Sequence, residues 1–420
     1  MSLRLAIDGG ERAVKTPLPP MFPGGMRIGA EEEQAVLNVL RSRRLFRYYG
    51  PAPGPSQTDL FEQEFAAHMG TAYALAVSSG TAALMCAMAA LGVGPGDEVI
   101  VPAYTWIATA SAVVALGAVP VIAEIDESLT IDPADVECKI TPHTRAIAAV
   151  HMRGSPCRMD ALTEIAHRHN VSLIEDVAQA AGVSFRGKRL GAWGDAGAFS
   201  LQFNKIITSG EGGVVLTNSH ALYKRAIMYH DVVGGYRHHI PPDEILPGVN
   251  FRMNELQAAI ALAQLGKLEG ILADMRRNHA AIVERIADCA RSAGVLLRRL
   301  NDPTSDAGLA LVLLLPSAEC TRWAVDALRA EGVGAMTLYR PDVEDYHVYR
   351  YWAPIMNQKT WTEQGGAWRW AARTIEYAPD MCPRSLDLLS RALHLNVSPD
   401  LSEAQIEEVA TALNKVLEAL

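Results

Sequence analysis

The sequence predicts an α/β protein with a large domain built on a mostly parallel β-sheet, followed by a smaller α+β domain. Short, uninterrupted apolar segments alternate with segments of helix length between residues 74 and 216. Apolar strands of this kind are typical of a parallel sheet that helices cover on both faces. After residue 254 the pattern changes to a long helical run followed by few strands. A chain of 420 residues is also long enough for two domains.

The large domain is predicted from seven apolar strands, the first two of which lead into helices at 81–91 and 105–116. The predicted strands span 74–77, 98–101, 119–123, 145–150, 171–174, 196–199 and 213–216. The later predicted elements are a helical stretch at 254–293 interrupted near Gly266 and Gly270, a strand at 309–315, a helix at 321–331 and a closing helix at 402–420. We expect an N-terminal arm at 1–30, a large domain at 31–265 and a small domain at 266–420.

Composition argues against several classes of protein. A net charge of −9 does not favour binding to nucleic acid or anionic membranes, since both attract basic surfaces. The longest uncharged run, residues 99–123, is interrupted by Pro102, Gly117 and Pro120. It is therefore divided into short elements and does not form the single apolar helix of roughly 20 residues that spans a bilayer. The six cysteines form no C-x-x-C pair, and His238-His239 has no further ligands at metal spacing. With no apolar export segment near the N-terminus, we expect a soluble cytoplasmic protein without a metal site.

A lysine and an aspartate that follow two of these strands indicate a particular chemistry. Lys205 lies between a short apolar strand and a glycine-rich turn, and an ε-amine can form a Schiff base with a carbonyl. Asp176 ends another strand, where a carboxylate can pair with a protonated pyridine nitrogen. Alone, each has a plainer interpretation, a solvated loop residue or a helix N-cap. Together they are the usual contribution of a protein to pyridoxal phosphate (PLP) chemistry.

Two further segments fit the same cofactor. Residues 78–84 join a strand to a helix through small side chains, so that the N–H groups of Gly80 and Thr81 face outward at the positive end of the helix dipole. This arrangement suits a phosphate, although a simple N-cap explains it equally well. Trp106 follows a strand and can stack on a pyridine ring, or it can belong to the core.

Five motifs occur in order over about the first two thirds of the chain. They are Ser-Gly-Thr-Ala-Ala-Leu at 79–84, Pro-Ala-Tyr-Thr-Trp-Ile-Ala-Thr-Ala at 102–110, Ile-Glu-Asp-Val-Ala-Gln-Ala at 174–180, Phe-Ser-x-x-x-x-Lys-x-x-x-x-Gly-Glu-Gly-Gly at 199–213 and Gly-Val-Asn-Phe-Arg-Met-Asn-Glu-Leu-Gln-Ala-Ala at 248–259. This set resembles the DegT/StrS family of PLP-dependent sugar aminotransferases. The resemblance implies the aspartate-aminotransferase fold (fold type I) and a homodimer whose active sites use residues from both subunits.

The resemblance also implies individual roles. It makes Lys205 the Schiff-base lysine, Asp176 the partner of the pyridinium, Gln179 a contact to the ring hydroxyl, Trp106 the stacking aromatic, Gly80, Thr81 and Ser200 the phosphate cup, and Asn250 a phosphate contact from the partner subunit. His151 occupies a histidine position common in the family, but Met152-Arg153 departs from the apolar or aromatic pair that usually follows it. We expect the substrate to meet His151, Tyr339 and His347.

By the same resemblance the protein transfers an amino group from glutamate or glutamine to a keto-sugar or keto-cyclitol. The segment at 5–14 and Gln202 resemble the cyclitol and aminoglycoside branch, which acts on ketones such as scyllo-inosose. Alternatives are an aminotransferase for nucleotide-linked keto-sugars and an aromatising relative similar to 3-amino-5-hydroxybenzoate synthase. A dehydratase relative would carry histidine in place of Lys205, and a non-catalytic regulator would have lost part of the cofactor set.

Overall fold

The computed structural model describes residues 4–420. Its strands are β1 (Tyr73–Val77), β2 (Glu98–Pro102), β3 (Val119–Ala123), β4 (Thr144–Val150), β5 (Ser172–Asp176), β6 (Ser184–Phe185), β7 (Lys188–Arg189), β8 (Ala196–Ser200), β9 (Gly213–Thr217), β10 (Leu296–Leu297), β11 (Ala310–Leu314), β12 (Ala335–Thr337) and β13 (Ala392–Asn396). Its α-helices are α1 (Ala30–Ser42), α2 (Gln57–Met69), α3 (Gly80–Ala90), α4 (Ala108–Ala115), α5 (Pro133–Lys139), α6 (Met159–His169), α7 (His220–His230), α8 (Gly234–Arg237), α9 (Glu255–Leu265), α10 (Leu268–Ser292), α11 (Ala318–Glu331), α12 (Ala353–Met356), α13 (Gly366–Arg369), α14 (Pro383–Ser390) and α15 (Glu403–Leu417).

A seven-stranded sheet organises the first half of the described chain, in the order β1-β9-β8-β5-β4-β2-β3. Strands β2, β3, β4, β5 and β8 run parallel, which confirms the predicted mostly parallel sheet. Strand β9 is antiparallel to both of its neighbours, β8 and β1, and this reversal was not predicted. Its cause is the connection from β8 to β9 at 201–212, which contains no crossover helix; parallel strands need one, whereas antiparallel strands do not. Lys205 lies in this connection.

The long helical stretch after residue 254 breaks once. Helix α9 ends at Leu265 and α10 begins at Leu268, so the interruption expected near Gly266 is present. The second interruption, expected near Gly270, is wrong because that glycine lies inside α10. Burial of apolar residues along one face of α10, such as Ile271, favours continuing the helix by more than the roughly 1 kcal/mol that an interior glycine costs.

A four-stranded antiparallel sheet, β10-β11-β13-β12, forms the centre of the C-terminal part. Leu311 and Leu313 of β11 share one apolar cluster with α10, α11 and α15. Ala310 and Val312 belong instead to a cluster that includes strands of the large sheet. The two sheets are therefore joined through an apolar core, while the domain boundaries given above remain predictions.

The N-terminal arm connects the C-terminal part to the lysine loop. Buried Glu331 at the end of α11 accepts hydrogen bonds of 2.8 Å from the N–H groups of Ala6 and Ala13, and it pairs with Lys415. Further along, the Gly24 N–H donates to the backbone carbonyl of Lys205 at 3.1 Å. The arm thus reaches the reactive part of the sheet.

No single helix in residues 4–420 is both long and apolar enough to cross a membrane. Only α9 and α10 taken together reach that length and composition, and they are bent by 52° at their junction. The same residues contain no cluster of histidine, cysteine, aspartate or glutamate that could hold a metal ion.

Candidate active site

A cavity of about 370 Å³ opens at the carboxyl ends of β5 and β8, the edge at which parallel sheets bind ligands. Its wall contains seven of the residues that the sequence indicated for a cofactor, namely Gly80, Thr81, Trp106, Asp176, Gln179, Ser200 and Lys205. Asn250 is exposed and lies outside this wall. A single chain therefore brings together every predicted cofactor residue except the one expected to act from a partner subunit.

Lys205 carries its amine into this cavity from the loop after β8. The loop is held on both sides, because the Lys205 N–H donates to the Gln202 carbonyl at 2.9 Å and the Lys205 carbonyl accepts from Gly24. Burial lowers the pKa of Lys205, and nearby Arg153 adds to the effect, while the charge of Asp176 opposes it. The amine is therefore more easily deprotonated than an ordinary lysine, as a nucleophile or general base requires.

Asp176 lies at the end of β5 and is only 5% exposed. One carboxylate oxygen accepts the Thr109 hydroxyl at 2.8 Å and the other accepts the Ala178 N–H at 3.1 Å. Burial raises the pKa of Asp176, although these hydrogen bonds and the charge of Lys205 act in the other direction. No lysine or arginine of the described chain forms an ion pair with it. A buried, oriented carboxylate without a paired cation fits a ligand that supplies a positive ring nitrogen.

The loop between β1 and α3 forms a cradle of N–H groups beside Ser200. The Ser79 hydroxyl caps α3 by accepting the Ala82 N–H at 3.1 Å, so the N-cap is present, and an anion site beside it remains a prediction. A Cβ on Gly80 would lie 2.7 Å from the Cβ of Ser200, and only glycine lets the helix start so close to β8. The cradle, the positive helix end and the hydroxyls of Thr81 and Ser200 suit a phosphate.

Trp106 is 46% exposed, so the alternative that it belongs to the core is wrong. Its ring lies in the cavity wall, with a centroid 5.0 Å from that of His347 and 6.3 Å from that of Tyr346. A flat aromatic in this position can cover one face of a planar ligand.

His151, one of the three expected substrate residues, is enclosed by protein. Its ring is fully buried, with Nδ1 accepting the Cys157 N–H at 3.1 Å and Nε2 lying 3.2 Å from Glu175. Because Nδ1 accepts a hydrogen bond, the single ring proton is on Nε2 and is donated to the carboxylate. Glu175 also accepts three backbone N–H groups from 191–194. Contact between the His151 ring and substrate was therefore a wrong expectation, since the ring instead anchors the segment after β4.

The other two expected substrate residues differ from each other. Tyr339 is 8% exposed, packs near Tyr351 and does not line the cavity, so the expectation for it is also wrong. His347 does line the cavity, and its Nδ1 is 2.7 Å from a carboxylate oxygen of Asp345. Its place agrees with a role in substrate contact, which remains a prediction.

The structure adds Thr109 and Arg153 to the site. Thr109 of α4 follows Thr105 by four residues, and the two hydroxyls are 2.8 Å apart. Arg153 was visible only as a departure from the family pattern. It lines a second cavity of about 280 Å³, which shares Gln179, Asn204, Lys205 and His347 with the first.

Comparison with known proteins decides the family. Residues 26–414 match the DegT/DnrJ/EryC1/StrS aminotransferase family. The chain belongs to this family. It is accordingly a PLP-dependent aminotransferase, and the enzyme class expected from the five motifs is confirmed.

Two curated relatives of this protein differ from each other in their stated activity. An L-glutamine:2-deoxy-scyllo-inosose aminotransferase from Streptoalloteichus tenebrarius is 41% identical over 289 residues, which is 66% of this chain and 67% of the relative. A GDP-perosamine synthase from Caulobacter vibrioides is 44% identical over 220 residues, 52% of this chain and 58% of the relative. Sequence similarity therefore extends to more than one kind of family member.

Two solved structures of aminotransferase fold type I confirm the expected fold. A 3-amino-5-hydroxybenzoic acid (AHBA) synthase aligns with a TM-score of 0.79 at 28% identity, covering 97% of this chain and 100% of that one. DesI, solved with its TDP-sugar product, aligns with a TM-score of 0.77 at 29% identity, covering 99% and 96%. The likeness extends over both sheets.

Proposed function

We propose that this enzyme transfers an amino group from glutamine or glutamate to a keto-cyclitol, in the biosynthesis of an aminocyclitol or amino sugar. The observation that carries the proposal is the joint presence, in one cavity, of the Lys205 amine, the Asp176 carboxylate and the N–H cradle at Gly80. Similarity to the 2-deoxy-scyllo-inosose aminotransferases supports the cyclitol as acceptor. Three buried free thiols, Cys86, Cys157 and Cys382, fit the cytoplasm as its location.

The residues of the cavity would divide the binding of PLP among them. The cradle at Gly80 and Thr81, with the Ser200 hydroxyl, would hold the phosphate, and Trp106 would cover one face of the ring. Asp176 would hold a proton on the ring nitrogen. Gln179 would meet the ring hydroxyl. When bound, PLP supplies a carbonyl that condenses with amines and a ring that withdraws electrons from the substrate carbon.

Lys205 would perform the proton transfers. Burial lowers the pKa of Lys205, so Nζ could be neutral and could accept a proton in the cavity. The free amine would then act as a base that removes the proton from the donor carbon. The same nitrogen would return that proton to another atom within its reach. The hydrogen bonds from Thr109 and Ala178 would favour the charged form of Asp176, which would hold the proton on the ring nitrogen.

The acceptor is tested by measuring the second half of the reaction directly. The protein is first converted to its amine-loaded form with glutamine or glutamate, then mixed with a series of ketones. The series contains a free keto-cyclitol, a free keto-sugar and a nucleotide-linked keto-sugar, and products are read by mass spectrometry. We expect amination of the keto-cyclitol at the highest kcat/KM. Turnover of the nucleotide-linked sugar alone would overturn the proposal.

A nucleotide-linked keto-sugar is the second candidate because the chain is 44% identical to a GDP-perosamine synthase over about half its length. An aromatising reaction is the third, in view of the structural similarity to AHBA synthase. The same product analysis separates them, since an aromatic product differs in mass and absorbance from an aminated ring.

A homodimer with shared active sites completes the proposal. Asn250 is exposed and lies outside the cavity of its own chain, which leaves it available to a second copy. In a two-fold dimer a residue that reaches the partner is matched by the same residue reaching back, so both cavities would be completed at once.

A further inference from the structure

Arg153 is a charged residue that lines the second cavity, next to Lys205. It follows β4 and is held in a left-handed conformation with φ of 53°, which is uncommon for a residue other than glycine. The Arg153 N–H donates to the side-chain oxygen of Gln179 at 2.9 Å. The backbone is thus fixed against a residue of the main cavity, and strain of this kind is often found at functional sites.

The guanidinium of Arg153 has little to bind within the protein. Its Nε donates to the hydroxyl of Tyr104 at 3.2 Å, while its two terminal amino groups form no hydrogen bond within residues 4–420. No aspartate or glutamate in that range forms an ion pair with it. Asp345, whose charge raises the pKa of Arg153, is itself engaged by the N–H and ring of His347 at 2.9 and 2.7 Å. A partly buried arginine without a paired anion is costly unless a ligand supplies the charge.

The cavity around Arg153 is shaped for a small polar group. Lys205 and His347 line it together with Asn204 and Asn396, and the arm closes one side with Phe22. This cavity has a volume of about 280 Å³ and shares four lining residues with the cofactor cavity, among them Lys205 and His347. A ligand can therefore meet the Lys205 amine and the Arg153 guanidinium at the same time.

The charge of Arg153 acts on a buried histidine of the C-terminal sheet. His394 on β13 is fully buried, and both of its ring nitrogens lack a partner in the described chain. Burial lowers the pKa of His394, and the charges of Arg153, Arg298 and His347 lower it further. Arg298 is paired with Asp306 at 2.8 Å, and burial lowers the pKa of His347. Among these groups Arg153 is therefore the cation that an anion entering the cavity would meet.

We propose that Arg153 binds a carboxylate group of the substrate whose reacting carbon lies at Lys205. A guanidinium matches a carboxylate by two parallel hydrogen bonds, and the two unengaged amino groups of Arg153 offer that pair. The inference deepens the proposed function, since every amino-acid donor carries a carboxylate. An acceptor with a carboxylate would use the same residue, and half-reactions distinguish the two sources.

Binding is measured first, without catalysis. The purified cofactor-loaded protein is titrated with glutarate, which lacks an amine and cannot react, and with glutaramide, its uncharged analogue. We expect glutarate to bind more tightly than glutaramide. Arg153→Met should weaken glutarate binding at least about tenfold without affecting glutaramide, because only glutarate forms charged hydrogen bonds with the guanidinium. Arg158→Met is the matched control, because this arginine is exposed and lies five residues on. Equal binding of glutarate and glutaramide by the wild-type protein would overturn the proposal.

Chemical modification gives a test that needs no variant. Phenylglyoxal reacts with arginines, and peptide mapping reports each of them separately. Glutarate should protect the Arg153 peptide and leave the Arg158 peptide unprotected. Unchanged labelling of Arg153 at saturating glutarate would contradict the proposal, whether or not Arg153→Met folds. Circular dichroism and Tm of Arg153→Met and Arg153→Gln show whether loss of binding reflects loss of structure.

Single-turnover kinetics then identify the source of the carboxylate. If the donor supplies it, Arg153→Met slows the half-reaction with glutamine or glutamate and leaves the half-reaction with a neutral ketone unchanged. If the acceptor supplies it, the second half-reaction is the one affected. Normal rates in both halves would refute a role for Arg153 in binding. These outcomes are independent of whether the ketone is a cyclitol, since glutarate binding does not involve the acceptor.

Discussion

The Thr109 hydroxyl donates a 2.8 Å hydrogen bond to a carboxylate oxygen of Asp176. Thr109 lies on α4 and Asp176 at the end of β5, so the contact joins a helix that covers the sheet to the strand end that faces the cavity. The bond fixes the direction of the carboxylate and stabilises its charge in a buried place. Both effects serve a group that must hold a proton on a ligand.

Asp176→Asn should retain the cofactor yet lose transamination by at least about a hundredfold. An amide cannot stabilise the protonated ring, and two units of pKa in that proton correspond to such a factor. Thr109→Val should lower kcat by a smaller factor, about tenfold, because the carboxylate keeps its charge and its hydrogen bond from the Ala178 N–H. Steady-state kcat and bound cofactor are measured for both. Near-normal turnover in Asp176→Asn would remove this residue from the mechanism.

Lys205→Ala should abolish the visible absorbance of the lysine-bound cofactor and all turnover. The matched control is Lys188→Ala, which removes a lysine that lies over the Trp193 ring at the surface. Borohydride reduction followed by peptide mapping identifies the lysine that carries PLP. Attachment to any other lysine would disprove the assignment.

The pH at which Lys205 becomes reactive gives a further prediction. Burial lowers the pKa of Lys205 below its usual 10.5, so the amine of cofactor-free protein should deprotonate at a lower pH than an ordinary lysine. Asp176→Asn removes the charge that opposes this effect and should lower the midpoint further, whereas Arg153→Met should raise it. Labelling with acetic anhydride across pH, read peptide by peptide, measures the midpoint. A midpoint above 10.5 would show the opposite sign.

Gly80→Ala should weaken cofactor binding while leaving the fold in place. The added methyl group would lie 2.7 Å from the Cβ of Ser200, which forces α3 and β8 apart where the phosphate cradle forms. Overpacking of this kind costs about 1 to 3 kcal/mol. Gly94→Ala is the control, since nothing lies within 4 Å of a Cβ there. The dissociation constant of PLP, measured by equilibrium dialysis, should rise only in the first variant.

Asn250 supplies the prediction for the dimer. If it reaches the phosphate of a second copy, mixing Lys205→Ala with Asn250→Ala under subunit exchange should yield heterodimers with one intact site. Activity at limiting PLP should then exceed that of either parent. Heterodimers proven by mass spectrometry but lacking this recovery would mean that Asn250 does not act across an interface.

The sequence predicted the large sheet and the cofactor wall well because both depend on local patterns. The limits of an apolar strand can be read from its own residues. Asp176 ends a strand, and Gly80 and Lys205 lie in segments that follow strands. The antiparallel direction of β9 was missed because it depends on how the chain pairs over a distance. His151 and Tyr339 were misassigned for a similar reason, since a histidine after a strand can point into the core as easily as into a cavity.

The antiparallel pairing of β8 and β9 limits the length of the loop between them. Ser200 pairs with Gly213 across the β8 and β9 ladder, so the loop that carries Lys205 is pinned at both ends. One inserted residue would shift the amine by up to about 3.3 Å relative to Asp176, more than a hydrogen bond can accommodate. Other surface loops can gain or lose residues with little effect. The spacing from Ser200 through Lys205 to Gly213 should therefore tolerate no insertion or deletion in an active enzyme.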